Sequence, residues 1–179
     1  MTSKDRWIDE GMAVLREQGI DGVRVDRIAV RLGLTKGSFH HHFRGVGEYH
    51  RALLQRYERE SVAMAERAVS QLADLSPQDA LVALPAHVSF DARSEAAIRG
   101  WAFQDDEARA VLERVDELRL HTLIGLWRNV VADSTQARSA AMVPYLVMIG
   151  ATVALPTPTD AEMRELFALL ATLVPAVSA

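Results

Sequence analysis

Val25-Asp26-Arg27-Ile28-Ala29-Val30-Arg31-Leu32-Gly33-Leu34-Thr35-Lys36-Gly37-Ser38-Phe39-His40-His41-His42-Phe43 is the stretch that decides the fold. Ile28, Ala29 and Leu32 share one face of a helix. Gly33 follows where a left-handed C-terminal turn is least strained for glycine. Leu34 closes the corner, and Thr35 suits the N-cap of a second helix because its hydroxyl can accept a backbone N–H two or three residues on. Phe39 and Phe43, four residues apart, anchor that helix to a core. The pattern is a helix, a tight turn and a second short helix, which is a helix-turn-helix and points to DNA binding.

At about 100° per residue, the face opposite the phenylalanines carries Gly37, Ser38 and His41, flanked by Lys36, His40 and His42. These residues offer hydrogen-bond donors and a close backbone approach, matching the base-edge acceptors and phosphates of a major groove. Three consecutive histidines also suggest a metal, but consecutive helical residues diverge by about 100° and cannot all ligate one ion. The expected DNA-contacting set is Arg24, Arg27, Thr35, Lys36, Gly37, Ser38, His40, His41 and Arg44. His42 is expected to pack near the phosphate backbone.

Ile28-Ala29, Leu32-Gly33-Leu34-Thr35, Gly37-Ser38-Phe39 and His42-Phe43 together resemble the TetR family of transcriptional regulators over roughly the first sixty residues. Three positions depart from the family pattern. His40 replaces the usual tyrosine, Arg24 stands where a Ser or Thr N-cap is common, and Gly45-Val46-Gly47 replaces a Ser-Lys-Glu-like stretch. The lysine of that stretch commonly meets a phosphate in family members. Val46 cannot, and Arg44 and Arg51 are the nearby candidates for that contact.

The net charge of −4 opposes a nucleic-acid partner only when taken over the whole chain. Residues 1–60 carry 11 Lys/Arg against 9 Asp/Glu and four of the six histidines; the remainder carries 9 against 15. The basic part coincides with the motif, with Arg24, Arg27, Arg31, Lys36, Arg44 and Arg51 near the expected DNA face. There is no cysteine, so neither a disulfide framework nor a thiolate metal site is available. No leader-like start and no apolar span of about 18 residues are present, which makes the cytoplasm the expected location and a membrane role unexpected. G-x-S-x-G, H-E-x-x-H, P-loop and dinucleotide fingerprints are all missing, so the chain reads as no enzyme and needs no cofactor.

Hydrophobic periodicity predicts an all-α chain, with helices over 3–18, 25–32, 35–42, 47–73, 77–89, 92–103, 105–131, 134–154 and 159–176. We divide it into a helix-turn-helix domain, residues 1–46, and a helical ligand-binding and dimerisation domain, residues 47–179. The last two helices are apolar over more than one face, which fits either a buried core helix or an interface. The resemblance favours the interface: TetR-like proteins pair through their final two helices as a four-helix bundle, here residues 134–177. It also implies an inducer held between C-terminal helices. Trp101, Phe103, His121, Trp127, Tyr145 and Met148 are the expected pocket residues, large apolar surfaces with a few polar tips. The function expected is a ligand-responsive repressor that binds a palindromic DNA operator as a homodimer and is released by a small apolar effector. The alternative is a TetR-like protein that has lost its operator and acts through protein contacts.

Overall fold

The computed structural model describes residues 2–87, 91–128, 131 and 133–172. Its regular elements are helices: α1 (Ser3–Gln18), a 3₁₀ turn (Ile20–Gly22), α2 (Val25–Leu32), α3 (Lys36–His40), α4 (Val46–Leu72), α5 (Pro77–His87), α6 (Ala92–Ala102), α7 (Asp106–Arg128), α8 (Ser134–Val153) and α9 (Asp160–Thr172). No strand occurs among the described residues, and the all-α reading holds. The expected tail of the last helix, 173–176, and the end of the expected pairing segment, 173–177, lie outside the described residues.

Local chemistry sets most helix ends. Thr2 accepts the N–H of Asp5 while the Asp5 carboxylate accepts that of Thr2, a reciprocal cap that holds the Asp5 carboxyl below its ordinary range. Asp133 accepts the N–H groups of Thr135 and Gln136 and so starts α8. At α9, Thr159 Oγ1 accepts from Glu162 N at 3.2 Å and Glu162 Oε2 accepts from Thr159 N at 2.7 Å. Asp105 does the same for α7, accepting from Ala108 N at 2.8 Å. Each satisfies N–H groups that a helix start leaves without an intrahelical partner.

By packing, the chain forms two compact units: residues 1–60 with 93–114, and residues 61–92 with 115–179. Trp7, Phe39, Phe43 and Tyr49 form the centre of the first, with ring centroids 4.9–6.5 Å apart and mostly edge-to-face. Tyr49 donates its hydroxyl to the Trp7 carbonyl, and burial, with help from Glu10, pushes the phenol well above its ordinary pKa. Gly11 of α1 lies against that ring: a Cβ there would come within 2.1 Å of the Tyr49 hydroxyl. In the second unit Leu72, Leu81, Leu84, Leu123, Met148 and Phe167 centre the core, and α5 packs on α9.

Candidate nucleic-acid interface

Gly33 makes the turn between α2 and α3, with φ 66° and ψ 31° in the left-handed region. Gly33 N donates to Val30 O at 3.1 Å and Leu34 N to Ala29 O at 2.9 Å. This pair of bonds is a Schellman ending, which satisfies two of the carbonyls left over at the end of α2 and re-aims the chain. A Cβ on Gly33 would meet nothing within 4 Å, so the demand for glycine is conformational and not steric.

Thr35 then caps α3, its Oγ1 accepting from Ser38 N at 3.4 Å. The helix is shorter than the expected 35–42: past His40 the chain continues as a turn, with His42 N and Phe43 N both donating to Phe39 O. Phe39 and Phe43 are buried in the aromatic centre, so the opposite side of α3 faces outward. Thr35, Lys36, Gly37, His40 and His41 are exposed and Ser38 is half-buried. The three histidines have separate surroundings. His40 sits edge-on to Phe39, His41 is exposed, and His42 Nε2 lies 3.0 Å from Ser3 Oγ, tied to α1.

Ion pairing narrows the basic patch. Arg31 is held by Glu17 at 2.7 and 3.2 Å and also pairs with Glu10, an arrangement that lowers the Glu17 carboxyl and raises the guanidinium. Arg51 faces Glu107 at 3.7 Å. Both arginines thus pair with acids of α1 and α7 that are distant in sequence. Arg24, Arg27, Lys36 and Arg44 are exposed, with Arg24 3.7 Å from Asp26 and Arg27 3.4 Å from Gln18. Arg44, just before α4, has a side chain 97% exposed with Nε 3.8 Å from Glu48 Oε2, which also accepts its backbone N–H.

Arg24 is the N-cap of α2 but makes no side-chain capping bond. An Arg24→Ser variant supplies that bond and removes a cation from the positive end of the helix. Chemical denaturation should show it about 1 kcal/mol more stable, while its affinity for DNA falls.

Residues 8–45 match the family model for bacterial regulatory proteins of the tetR family. Over this segment the chain is similar to the TetR family. A comparison with curated proteins finds no match. Among solved structures, the chain is similar to a transcriptional regulator from Rhodococcus sp. Rha1, at 17% identity and a TM-score of 0.78, over 97% of this chain and 96% of that one. It is also similar to a transcriptional regulator (TerR/AcrR family) from Aquifex aeolicus VF5, at 15% identity and 0.73, over 97% and 100%. A Streptomyces coelicolor A3(2) protein matches at 19% identity and 0.64, over 94% and 97%. At these identities the likeness establishes a shared fold along nearly the whole chain. The family matched over this segment is one of bacterial regulatory proteins.

Beyond the TetR segment, the expected pocket residues separate. His121, Tyr145 and Met148 come together on a cavity of about 350 Å³ in the second unit, walled by α4, α5, α7 and α8. Trp127 is partly buried against the core of that unit and is not among the lining residues. Trp101 belongs to the first unit, buried with its ring centroid 5.2 Å from that of His50, whose imidazole burial holds below its ordinary pKa against the opposing pull of Asp105. Phe103 is 83% exposed. Trp101, Phe103 and Trp127 are not among the residues that line this cavity.

The lining that sequence reasoning missed includes Ser61, Met64, Ala68, Leu72, Arg119 and Leu126. A signal was present. Ser61, Met64, Ala65, Ala68 and Leu72 repeat at helical spacing on α4, and small residues on an inward stripe leave room where larger ones would fill it. Among the described residues no helix is long and apolar enough to cross a membrane, and no cluster of His, Asp and Glu could hold a metal.

Proposed function

We propose that this chain is a TetR-family regulator, a ligand-responsive repressor that binds a palindromic operator as a homodimer. The observation that carries the reading is the outward side of α3, where Lys36, Gly37, His40 and His41 stand exposed on a turn set by Gly33 and anchored by Phe39. A five-residue helix that presents donors and a glycine, with Arg24, Arg27 and Arg44 flanking it, suits a major groove and its bordering phosphates.

Two further features support the rest of the reading. Val143, Leu146 and Val153 on α8 and Leu166 and Leu169 on α9 are exposed apolar residues at helical spacing. A second copy related by a two-fold axis would cover such a face, and two reading heads about 34–36 Å apart would meet successive major grooves. The volume and mostly apolar lining of the cavity suit a small-molecule effector. Ligand would favour a conformer in which α4 has shifted and the heads no longer match the operator. Swinging occupancy from about 99:1 to 1:99 requires the ligand to prefer that conformer by roughly 10⁴-fold, about 5.5 kcal/mol.

The test is fluorescence anisotropy at two salt concentrations, with DNA from upstream of the protein's own gene beside a scrambled fragment. Tight, competitor-resistant binding to the native fragment is expected. Equal weak binding to both would favour the reading in which the operator has been lost and the protein acts through protein contacts. In the same assay Lys36→Ala should weaken binding to every DNA and lower the salt slope by about one, the mark of a single phosphate contact. A loss confined to one operator position would instead make Lys36 a base reader.

A further inference from the structure

Three consecutive histidines stand at the end of α3, and the DNA-binding reading uses them only as hydrogen-bond donors. His40 lies four residues after Lys36 and His41 four after Gly37, so each imidazole continues a row that begins on the exposed side of the helix. His41 is the C-cap, and its φ of −73° and ψ of −19° keep it on the helical path. Both residues are exposed, and His40 rests edge-on against Phe39 with ring centroids 5.3 Å apart. His42 differs. It is half-buried, with Nε2 3.0 Å from Ser3 Oγ of α1.

Among the described residues no carboxylate pairs with His40 or His41. The acids of the surrounding elements are engaged elsewhere. Asp26 of α2 lies 3.7 Å from Arg24, and Glu48 of α4 lies 3.8 Å from Arg44 and accepts its backbone N–H. On α1, Asp5 closes the cap with Thr2, Asp9 pairs with Arg56, and Glu10 and Glu17 pair with Arg31. The cations close by in sequence are Lys36 and Arg44, both exposed, while Lys4 Nζ of α1 lies 5.2 Å from the centre of the Phe43 ring. No acid of these elements is therefore in place as counter-ion for a charged His40 or His41.

A duplex supplies that counter-ion. A solvent-exposed imidazole changes charge between about pH 5 and 8, and a phosphate within about 4–6 Å favours its protonated form. A complex that holds more protons than its free components is strengthened by acid, so affinity rises as pH falls through neutrality and declines as pH rises. The fourth imidazole of residues 1–60 acts in the opposite sense. His50 Nε2 is buried with no hydrogen-bond partner, and burial disfavours its charged form against the pull of Asp105, so acid works against the folded unit there.

We propose that DNA binding by this chain is proton-linked: His40 and His41 become imidazolium ions in the complex, and mild acid tightens the hold on DNA. This rests on α3 being the DNA-facing helix. It gives the protein a second input, proton concentration, that is separate from the cavity in the second unit.

Fluorescence anisotropy tests it on the native upstream fragment and the scrambled one, at constant ionic strength from pH 8.0 to 6.0, with circular dichroism at each pH. The native fragment should bind at least about tenfold more tightly at pH 6.0 than at pH 8.0. The salt slope should steepen by about one to two over the same range, since each new cation on a phosphate adds about 0.9. His40→Gln combined with His41→Gln should hold affinity within about threefold across the range and keep one salt slope. His41→Gln alone changes a side chain with no contact to lose, and should remove part of the pH effect even if the double variant fails to fold. Affinity that is level or falls toward pH 6.0, or a full pH effect in either variant, would overturn the proposal. Tight, specific but pH-independent binding would remove proton linkage and leave the operator reading standing. Equal weak binding to both fragments that still tightens in acid through these residues would do the reverse, and no binding to either fragment at any pH would overturn both.

Discussion

Gly11→Ala should destabilise the first unit by about 2–4 kcal/mol, although alanine is the better helix former. In an exposed helix the exchange gains about 1 kcal/mol. Here the new methyl would lie 2.1 Å from the Tyr49 hydroxyl oxygen, 2.8 Å from Tyr49 Cζ and 2.9 Å from Leu53 Cδ2, so something must move. Tyr49 and Leu53 are fully buried, and the Tyr49 ring also touches Trp7, Phe39 and Phe43. Overpacking of this kind costs about 1–3 kcal/mol, and turning the ring aside gives up the bond to the Trp7 carbonyl, worth about another 1–3 when both groups are buried. Because Phe39 anchors α3 to the same cluster, DNA affinity should fall with stability.

Gly100→Ala in α6 is the matched control. A Cβ there meets nothing within 4 Å, and the change should stabilise by about 0.5–1 kcal/mol. Urea unfolding of the two variants decides the point. Equal, small effects would mean that the aromatic cluster is loose enough to absorb a methyl group, and that α3 is not held as rigidly as the packing indicates.

The second large effect is expected from Leu146→Glu combined with Leu169→Glu. Both side chains are mostly exposed, at 55% and 61%, so charge at these positions should leave helix content unchanged by circular dichroism. If α8 and α9 form the homodimer face, two glutamates per copy would be buried against two more, and burying unpaired charge is strongly unfavourable. Analytical ultracentrifugation should then show a monomer. Operator affinity should fall by about 10²-fold or more, since two linked heads bind more tightly than one without any new contact per head. A variant that remains dimeric would move the interface elsewhere, and a monomer that keeps full affinity would remove the two-headed reading of the operator.

The reading head was legible in the sequence because every interaction that shapes it is short in range. The Schellman bonds join Gly33 to Val30 and Leu34 to Ala29, the cap joins Thr35 to Ser38, and the outward face of α3 follows from the spacing of Phe39 and Phe43. Such features depend on residue type and on offsets of three to five positions, which a linear chain displays directly. The helix starts at Thr159 and in the acids around Asp105 were readable for the same reason.

What tertiary structure alone decided lies at larger separations. The sequence shows Arg31 as a cation without a partner until α1 brings Glu10 and Glu17 to it. Gly11 is an ordinary helical glycine until Tyr49 packs across it from α4. The cavity was sought among aromatics because large side chains are conspicuous in a sequence, yet a cavity is the volume that side chains leave unfilled. Trp101 turned to His50 and Phe103 to solvent, while alanines on α4 opened a space that Arg119 borders from α7. The sequence by itself determined the helices, the turn and the face that α3 presents, since those are set by backbone geometry and near-neighbour hydrogen bonds. Which charges are neutralised and where a void remains depended on which distant helices meet, because pairing and packing are properties of close approach in space and not of order along the chain.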